Sequence, residues 1–264
     1  MAIHRTAWID AAATLHETVE VGPNVVIDGP VTIGANCRLG PSAVVLGATE
    51  IGEGCLIHSH AVIGDEPQDL KSAPGLTRCL VGNHCVIREG VTIHRATIAG
   101  GATVVGDRCY LMTNSHVAHD CVLEEGVTLV SGALLGGHVH IGKRAIIAGN
   151  SGVHQHVRIG ELAMIAAVTM ISQDVAPFTL TNHAGEIVGL NTVGLMRAGF
   201  TPSERLELKS LFKLIYRTDM PRTQALEIAS ELATFDSANR FLDFFAADSL
   251  RGIRRLRVVG SHAA

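Results

Sequence analysis

The stretch TNSHVAHDC, residues 113–121, places His116, His119 and Asp120 within five residues, with one His–Asp pair adjacent. Imidazole and carboxylate groups at that spacing can bind a metal ion, act as a general base beside an orienting acid, or decorate a solvated surface. Downstream, His138 follows the pair Gly136–Gly137, and His154, Gln155 and His156 are consecutive. Deciding among these chemistries requires knowing which side chains share a face, and therefore which elements carry them.

The 264-residue chain is 47% apolar but only 4% aromatic, so its interior must be built from Val, Ile, Leu and Ala. A net charge of -4 and a pI near 6.4 give no basic footprint, which argues against nucleic acid as a partner. The opening residues MAIHRTAWID hold no apolar signal region, and no run approaches the ~18 residues that a membrane span needs. A soluble cytoplasmic protein is therefore expected, its positive mean hydropathy reflecting buried surface.

Taking every sixth residue from Ile3 to Ile171 gives 29 positions, (171 − 3)/6 + 1, of which 26 are Ile, Leu or Val. The exceptions are Asp69, Gly75 and Ala99. Neither a helix nor a simple strand alternation has this period; a hexapeptide repeat with one deeply inward aliphatic per short strand does, and it predicts a β-helix solenoid. The position two before each aliphatic also faces inward, since side chains alternate along a strand. It carries mostly small residues, and all six cysteines (37, 55, 79, 85, 109 and 121) fall in it. They read as small buried hydrophobes rather than disulfide or zinc partners.

The register is poorest over DEPQDLKSAPGLTRCL, residues 65–80, which predicts a loop thrown out from the solenoid, and a smaller excursion is expected around Ala99. The pattern stops after Ile171. Thr201, Pro202 and Glu204 then form a capping-box signature opening an amphipathic helix, with Leu208, Leu211, Phe212 and Ile215 at helical spacing. RTQALEIASELATF and SANRFLDFFAADSL read as two further helices, and the basic tail RGIRRLR as a solvated face or a dock for an acidic partner. The expectation is a mainly β chain: a parallel β-helix over 1–190 with a loop at about 65–80, then a small helical domain over 191–264.

A triangular β-helix spends three hexads per coil, so residues 18 apart stack at one strand spacing, roughly 4.8 Å. Gly137 then lies over His119, with Gln155 above that and His138, His154 and His156 beside the column. His119 and His116 are expected to point away from the core. A general base fits this edge better than a metal site, because His116 and His119 differ in facing and no third histidine is forced into tetrahedral geometry with them. A histidine is largely neutral at pH 7, Asp120 can hold its tautomer, and Gly137 can offer an unobstructed N–H to an oxyanion. Base plus oxyanion donor describes direct acyl transfer to a substrate that brings its own nucleophile.

These residues resemble the UDP-N-acetylglucosamine acyltransferases that begin lipid A synthesis. The likeness lies in QDLK (68–71), IREGVTIHRAT (87–97), NSHVAHDC (114–121), GGHV (136–139), GVHQ (152–155), SQDV (172–175), GLMRAGF (194–200) and KLIYR (213–217). It implies a left-handed β-helix, a homotrimer with active sites between subunits, and transfer of a 3-hydroxyacyl chain from acyl carrier protein to the 3-position of UDP-N-acetylglucosamine, without a cofactor or metal. By position, His119 matches the base, Asp120 the acid beside it and Gly137 the oxyanion donor. Gln68, Asp69, Lys71, His116, His138, His154 and Gln155 match substrate-contacting positions, Asn191 and Arg197 match nucleotide-side ones, and Ala167 falls where the family sets acyl-chain length.

The sequence departs from that pattern at Val193, where an acidic residue is common, and at Ala198, where a second arginine is common. Gly90 replaces a usual serine, and His156 a frequent apolar residue. The competing readings are a related acyltransferase using an amino-sugar nucleotide or acyl-coenzyme A, a zinc hydratase of the gamma carbonic anhydrase type, and a non-catalytic scaffold.

Overall fold

The computed structural model describes residues 2–72 and 75–256; Pro74 of the expected loop and Arg257 of the basic tail lie outside the described residues. Short strands from Ala2–Ile3 to Met170–Ile171 are shared in strict rotation among three parallel sheets, which makes a three-sided left-handed β-helix. That hand is an exception to the usual right-handed crossover. Register partners lie 18 residues apart at first (Ala2 with Glu20), 30 across the coil holding the loop (Leu56 with Val86), 24 across the next (Val86 with Tyr110), and 18 again from Tyr110 to Thr128. The excesses, 30 − 18 = 12 and 24 − 18 = 6, are whole hexads. Asp69 and Gly75 belong to the first insertion and Ala99 to the second, which is why the six-residue count stays in phase across both.

The interior is a stack of aliphatics, among them Ile27, Val45, Ile63, Ile87, Val105, Leu123 and Ile141, each buried. Burial of such a side chain stabilises by about 1.5–3 kcal/mol. All six cysteines are buried and free, in the small-residue position. The coil cross-section excludes aromatic bulk: all seven phenylalanines stand at residue 178 or later. At most corners the chain turns through the left-handed region, and Asn24, Asn114, Asp120, His138, Asn150 and His156 all have φ between 54° and 63°. Asn, Asp and His tolerate that region better than other residues with side chains.

An antiparallel pair, Thr179–Thr181 with Ile187–Leu190, closes the solenoid. Among the described residues four helices follow: α1 (Thr192–Arg197), α2 (Pro202–Arg217), α3 (Arg222–Leu232) and α4 (Asp236–Ala246). The capping box at Thr201 and Glu204 is present, whereas α1, one and a half turns long, escaped the sequence reading for want of a full amphipathic period. Leu208, Leu211 and Phe212 of α2 are buried with Ala225 and Ala229 of α3 and Phe241 of α4. Phe178 joins the two parts, its ring 5.6 Å from Phe200 and 6.4 Å from Phe241. Beside it, Arg158 Nε donates to the fully buried Asp174 carboxylate at 2.7 Å and its guanidinium lies 4.6 Å from the Phe244 ring.

Because one aliphatic serves a whole face of one coil, Ile141→Ala is expected to remove about 2–5 kcal/mol of stability, readable as a lowered denaturant midpoint.

Candidate active site

The corner between the sheet containing His116–Val117 and the sheet containing Val122–Leu123 recurs in every coil. Along it lie, in order, the loop after Val62–Asp65, the excursion after Thr92–His94, then His119–Asp120, Gly137–His138 and Gln155–His156. The hexad register thus delivers Gln68, Asp69, Lys71, His119, Asp120, Gly137, His138, His154 and Gln155 to a single edge.

His119 Nδ1 lies 2.8 Å from Asp120 Oδ2. The carboxylate also accepts the Thr97 hydroxyl at 2.7 Å and the Thr97 backbone N–H at 3.2 and 3.3 Å, while the Asp120 N–H donates to Thr103 Oγ1 at 2.8 Å. Burial pushes the Asp120 carboxyl upward, but the hydrogen bonds from Thr97 and His119 outweigh it and hold the group below the usual carboxylate range. An ionised Asp120 can only accept, so the His119 proton sits on Nδ1 and the Nε2 lone pair is left to take a proton from elsewhere. His119 departs from expectation in one respect: it points out of the prism, yet its side chain is only 12% exposed. The excursion carrying Thr97 and the neighbouring His138 ring cover it, a consequence of insertion lengths that no local pattern announces.

Gly137 stacks directly on His119, and a Cβ there would overlap the imidazole. Its carbonyl accepts from His156 N at 3.0 Å, and its own N–H donates to no group among the described residues. A ladder of rings continues upward: His138 meets His119 edge-on at 5.2 Å between centroids and stacks on His156 at 4.6 Å, with His138 Nε2 3.7 Å from Asp120 Oδ2. The ligand atoms of His119, Asp120 and His138 lie within 4.8 Å of one another, a spacing that a divalent ion can bridge. An ion bound there would displace the hydrogen bond that orients His119.

His116 lies on the outer face of its strand, its Nδ1 2.7 Å from Thr92 Oγ1 and its ring edge-on to His94 at 5.0 Å. Burial, with the nearby His94 and His119, lowers its pKa to about 4. His94 is also buried and lowered by that burial, against the pull of Asp65, and its Nδ1 has no partner among the described residues. His156 is lowered as well, by burial and then by His138 and Arg251. Sequence reasoning missed Thr97, Thr103, His94 and Arg251. Thr97 comes to the edge on the second insertion, His94 and Thr103 stand on the strands that flank it, and Arg251 arrives from the far end of the chain to meet His154 Nδ1 and, at 2.8 Å, the Gln155 carbonyl.

Of the remaining residues expected at the site, Ala167, Asn191 and Arg197 lie elsewhere, and the loop residues stand on the same edge two coils below His119. Ala167 stands on the corner that precedes the His116 sheet, three coils above Thr113 in its own column. Asn191 caps α1, accepting from Gly194 N and donating to the Leu162 carbonyl, each at 2.9 Å. With Arg197 and Val193 it lines a cavity of about 520 Å3 on a second face, beside Arg144 and Met164. Gln68 and Lys71 are exposed on the loop, where Asp69 accepts the Lys71 N–H at 2.9 Å and Leu70 is wholly exposed. A rigid prism does not bring its separate faces together, so one chain presents Ala167, Asn191 and Arg197 on surfaces apart from the His119 edge.

The fold and its edge of histidines define an acyltransferase built on hexapeptide repeats, and residues 102–137 match the family model described as bacterial transferase hexapeptide (six repeats). Residues 174–254 match the model of domain 2 of UDP N-acetylglucosamine O-acyltransferase, and residues 3–100 that of the GMPPB C-terminal domain. The acyl-[acyl-carrier-protein]--UDP-N-acetylglucosamine O-acyltransferase of Myxococcus xanthus is 42% identical over 256 residues, covering 96% of this chain and 99% of the relative. Its counterpart in Synechocystis sp. is 45% identical over 201 residues, 76% of this chain and 73% of the relative. The solved UDP-N-acetylglucosamine acyltransferase of Francisella novicida superposes with a TM-score of 0.92 at 35% identity, covering 96% of this chain and 94% of that one. That of Moraxella catarrhalis superposes at 0.92 and 34%, covering 97% and 100%. The chain belongs to the UDP-N-acetylglucosamine O-acyltransferase family.

Two predictions follow from the geometry. Gly137→Ala drives a methyl group into the His119 ring, so turnover is expected to fall by about 100-fold, the scale of an ångström-sized misplacement, as read from kcat. His116 has its folded pKa near 4 against about 6.5 when unfolded, so between these values the unfolded chain binds more protons. His116 therefore contributes stability that is lost as pH falls from about 6.5 to 4, and His116→Gln should flatten that part of a urea-midpoint-versus-pH curve.

Proposed function

We propose that this chain transfers a 3-hydroxyacyl group from acyl carrier protein to the 3-hydroxyl of UDP-N-acetylglucosamine, with His119 as general base. The observation that carries this reading is the His119–Asp120 pair lying directly beneath the unblocked backbone of Gly137. In the step envisaged, the sugar oxygen attacks the thioester carbonyl as its proton passes to His119 Nε2. The Gly137 N–H receives the oxyanion, and collapse expels the carrier's sulfur, which takes the proton back from His119. Asp120 keeps the ring in the tautomer with the Nε2 lone pair free and favours the transient imidazolium. Two features suit that work: Thr97 holds the carboxylate ionised, and the low exposure of His119 strengthens each charge–dipole contact.

The acyl chain is assigned to the outer face of the sheet between the His119 edge and the Ala167 edge. Leu134 and Met170 are exposed there, and Met170 folds over Gly152. Ala167 lies roughly three coils above the base, on the order of 14 Å, where its side chain would limit chain length. His116, His138, His154 and Gln155 are read as substrate contacts. A neighbouring copy in a homotrimer would supply Asn191 and Arg197 for the nucleotide and the loop residues Gln68, Asp69 and Lys71. The exposed Leu70 and Leu76 on that loop, and Ile98 beside it, suit such a subunit contact. No helix among the described residues is long and apolar enough to cross a membrane, which suits water-soluble substrates in the cytoplasm.

The reading is tested with mixed-length 3-hydroxyacyl carrier proteins and both UDP-N-acetylglucosamine and its 3-amino analogue, with products identified by mass spectrometry. His119→Ala is expected to lower kcat by about 100- to 10,000-fold, the range for a general base. Near-normal turnover in that variant rejects the base assignment, and product from the amino analogue alone moves the acceptor from oxygen to nitrogen.

A further inference from the structure

Beyond α4 the chain returns to the last coil of the solenoid. Asp174 N donates to the Gly252 carbonyl at 2.9 Å and Arg254 N to the Asp174 carbonyl at 2.7 Å. Arg254 reaches Gln173 Oε1 at 3.2 Å and the Ala184 carbonyl at 3.0 Å, and Leu256 bridges to Ile187. Asp174 is itself fixed by Arg158, whose guanidinium also reaches the Phe244 and Ala247 carbonyls at the end of α4. These bonds dock the tail without any contribution from Arg251. Arg251 instead turns onto the histidine edge, where Nε donates to the Gln155 carbonyl at 2.8 Å and a terminal nitrogen meets His154 Nδ1.

We infer that Arg251 is a positioning residue of the transfer site, fixing the tautomer of His154 through a donor fork shared between His154 Nδ1 and the Gln155 carbonyl. A guanidinium remains charged and can only donate. Its partner nitrogen on His154 must therefore accept, which places that ring's proton on Nε2. The exposed ring becomes a neutral donor of one N–H, suited to an acceptor oxygen of the sugar nucleotide or the thioester donor. The Gln155 carbonyl holds the other limb of the fork, so the guanidinium cannot swing away without breaking two bonds. The His119 edge thus has two orienting groups of opposite charge: Asp120 fixes one imidazole as an acceptor at Nε2, and Arg251 fixes another as a donor there.

This inference rests on the acyl-transfer reading of the edge, and the test separates the two. Steady-state rates with a 3-hydroxyacyl carrier protein and UDP-N-acetylglucosamine are compared for wild type, Arg251→Ala, Arg251→Lys, His154→Ala and the Arg251→Ala/His154→Ala double variant. Arg251→Ala is expected to lower kcat/KM about tenfold, the loss of one charge-assisted hydrogen bond, with an unchanged unfolding temperature. Arg251→Lys should recover only part of it, because an ammonium lacks the planar fork. In the His154→Ala background the effect of Arg251→Ala should nearly vanish. Nitrogen-15 spectra of histidine-labelled enzyme should show His154 protonated at Nε2 in wild type and a tautomer mixture in Arg251→Ala. An equal loss in both backgrounds, a wild-type rate in Arg251→Ala, or unchanged His154 spectra would overturn the inference. A wild type that turns over neither UDP-N-acetylglucosamine nor, in a parallel assay, its 3-amino analogue rejects the acyl-transfer reading itself.

Discussion

Everything in this molecule hangs on coils stacked by parallel hydrogen bonds at one strand spacing, each face closed by a single aliphatic side chain. The stack has no conventional layered core to spread a misfit, so the inward position must be Ile, Leu or Val at every turn and the position two before it must be small. The same constraint explains why 26 of 29 sixth residues are β-branched or Leu, why the cysteines are buried, and why every phenylalanine stands at residue 178 or later. Both insertions are whole multiples of six residues, so the hexad count read along the chain stays in phase across them.

The site is a by-product of that rigidity. Corner residues do not pack inside the prism, so they are free to be polar, and stacking puts corners of successive coils in contact. His119, His138 and His156 form a ladder because their corners coincide, while Asp120, His138 and His156 adopt the left-handed turn that the geometry demands. Precise spacing between the His119 ring and Gly137 follows from backbone bonds between coils, such as His138 N to the His119 carbonyl at 3.0 Å, rather than from flexible side chains. The helices lend the arrangement a second boundary: Phe178 and the Arg158–Asp174 pair lock them to the last coil, and the tail that follows carries Arg251 back to the same edge.

Much of this was legible in the sequence, because a period of six is a direct imprint of the coil. The strand positions, the inward cysteines, the capping box at Thr201 and the alignment of Gly137 over His119 could all be counted off without coordinates. The short helix α1 could not, since six residues do not establish an amphipathic period, and its cap Asn191 was legible only through resemblance. Thr97 was invisible for a different reason. It reaches Asp120 only because a six-residue excursion bulges over the corner, and an insertion's path is not encoded in its register.

The sequence by itself determined the solenoid and the column that sets His119 beneath an unobstructed backbone, since both are linear consequences of repeat length. Tertiary structure alone decided that the histidine edge is covered rather than open, that Asp120 is held ionised by Thr97, and that the C-terminal tail returns Arg251 to His154. Those contacts join residues 23 to 97 positions apart outside the repeat. They depend on where loops and tail come to rest, and packing against the finished prism decides that.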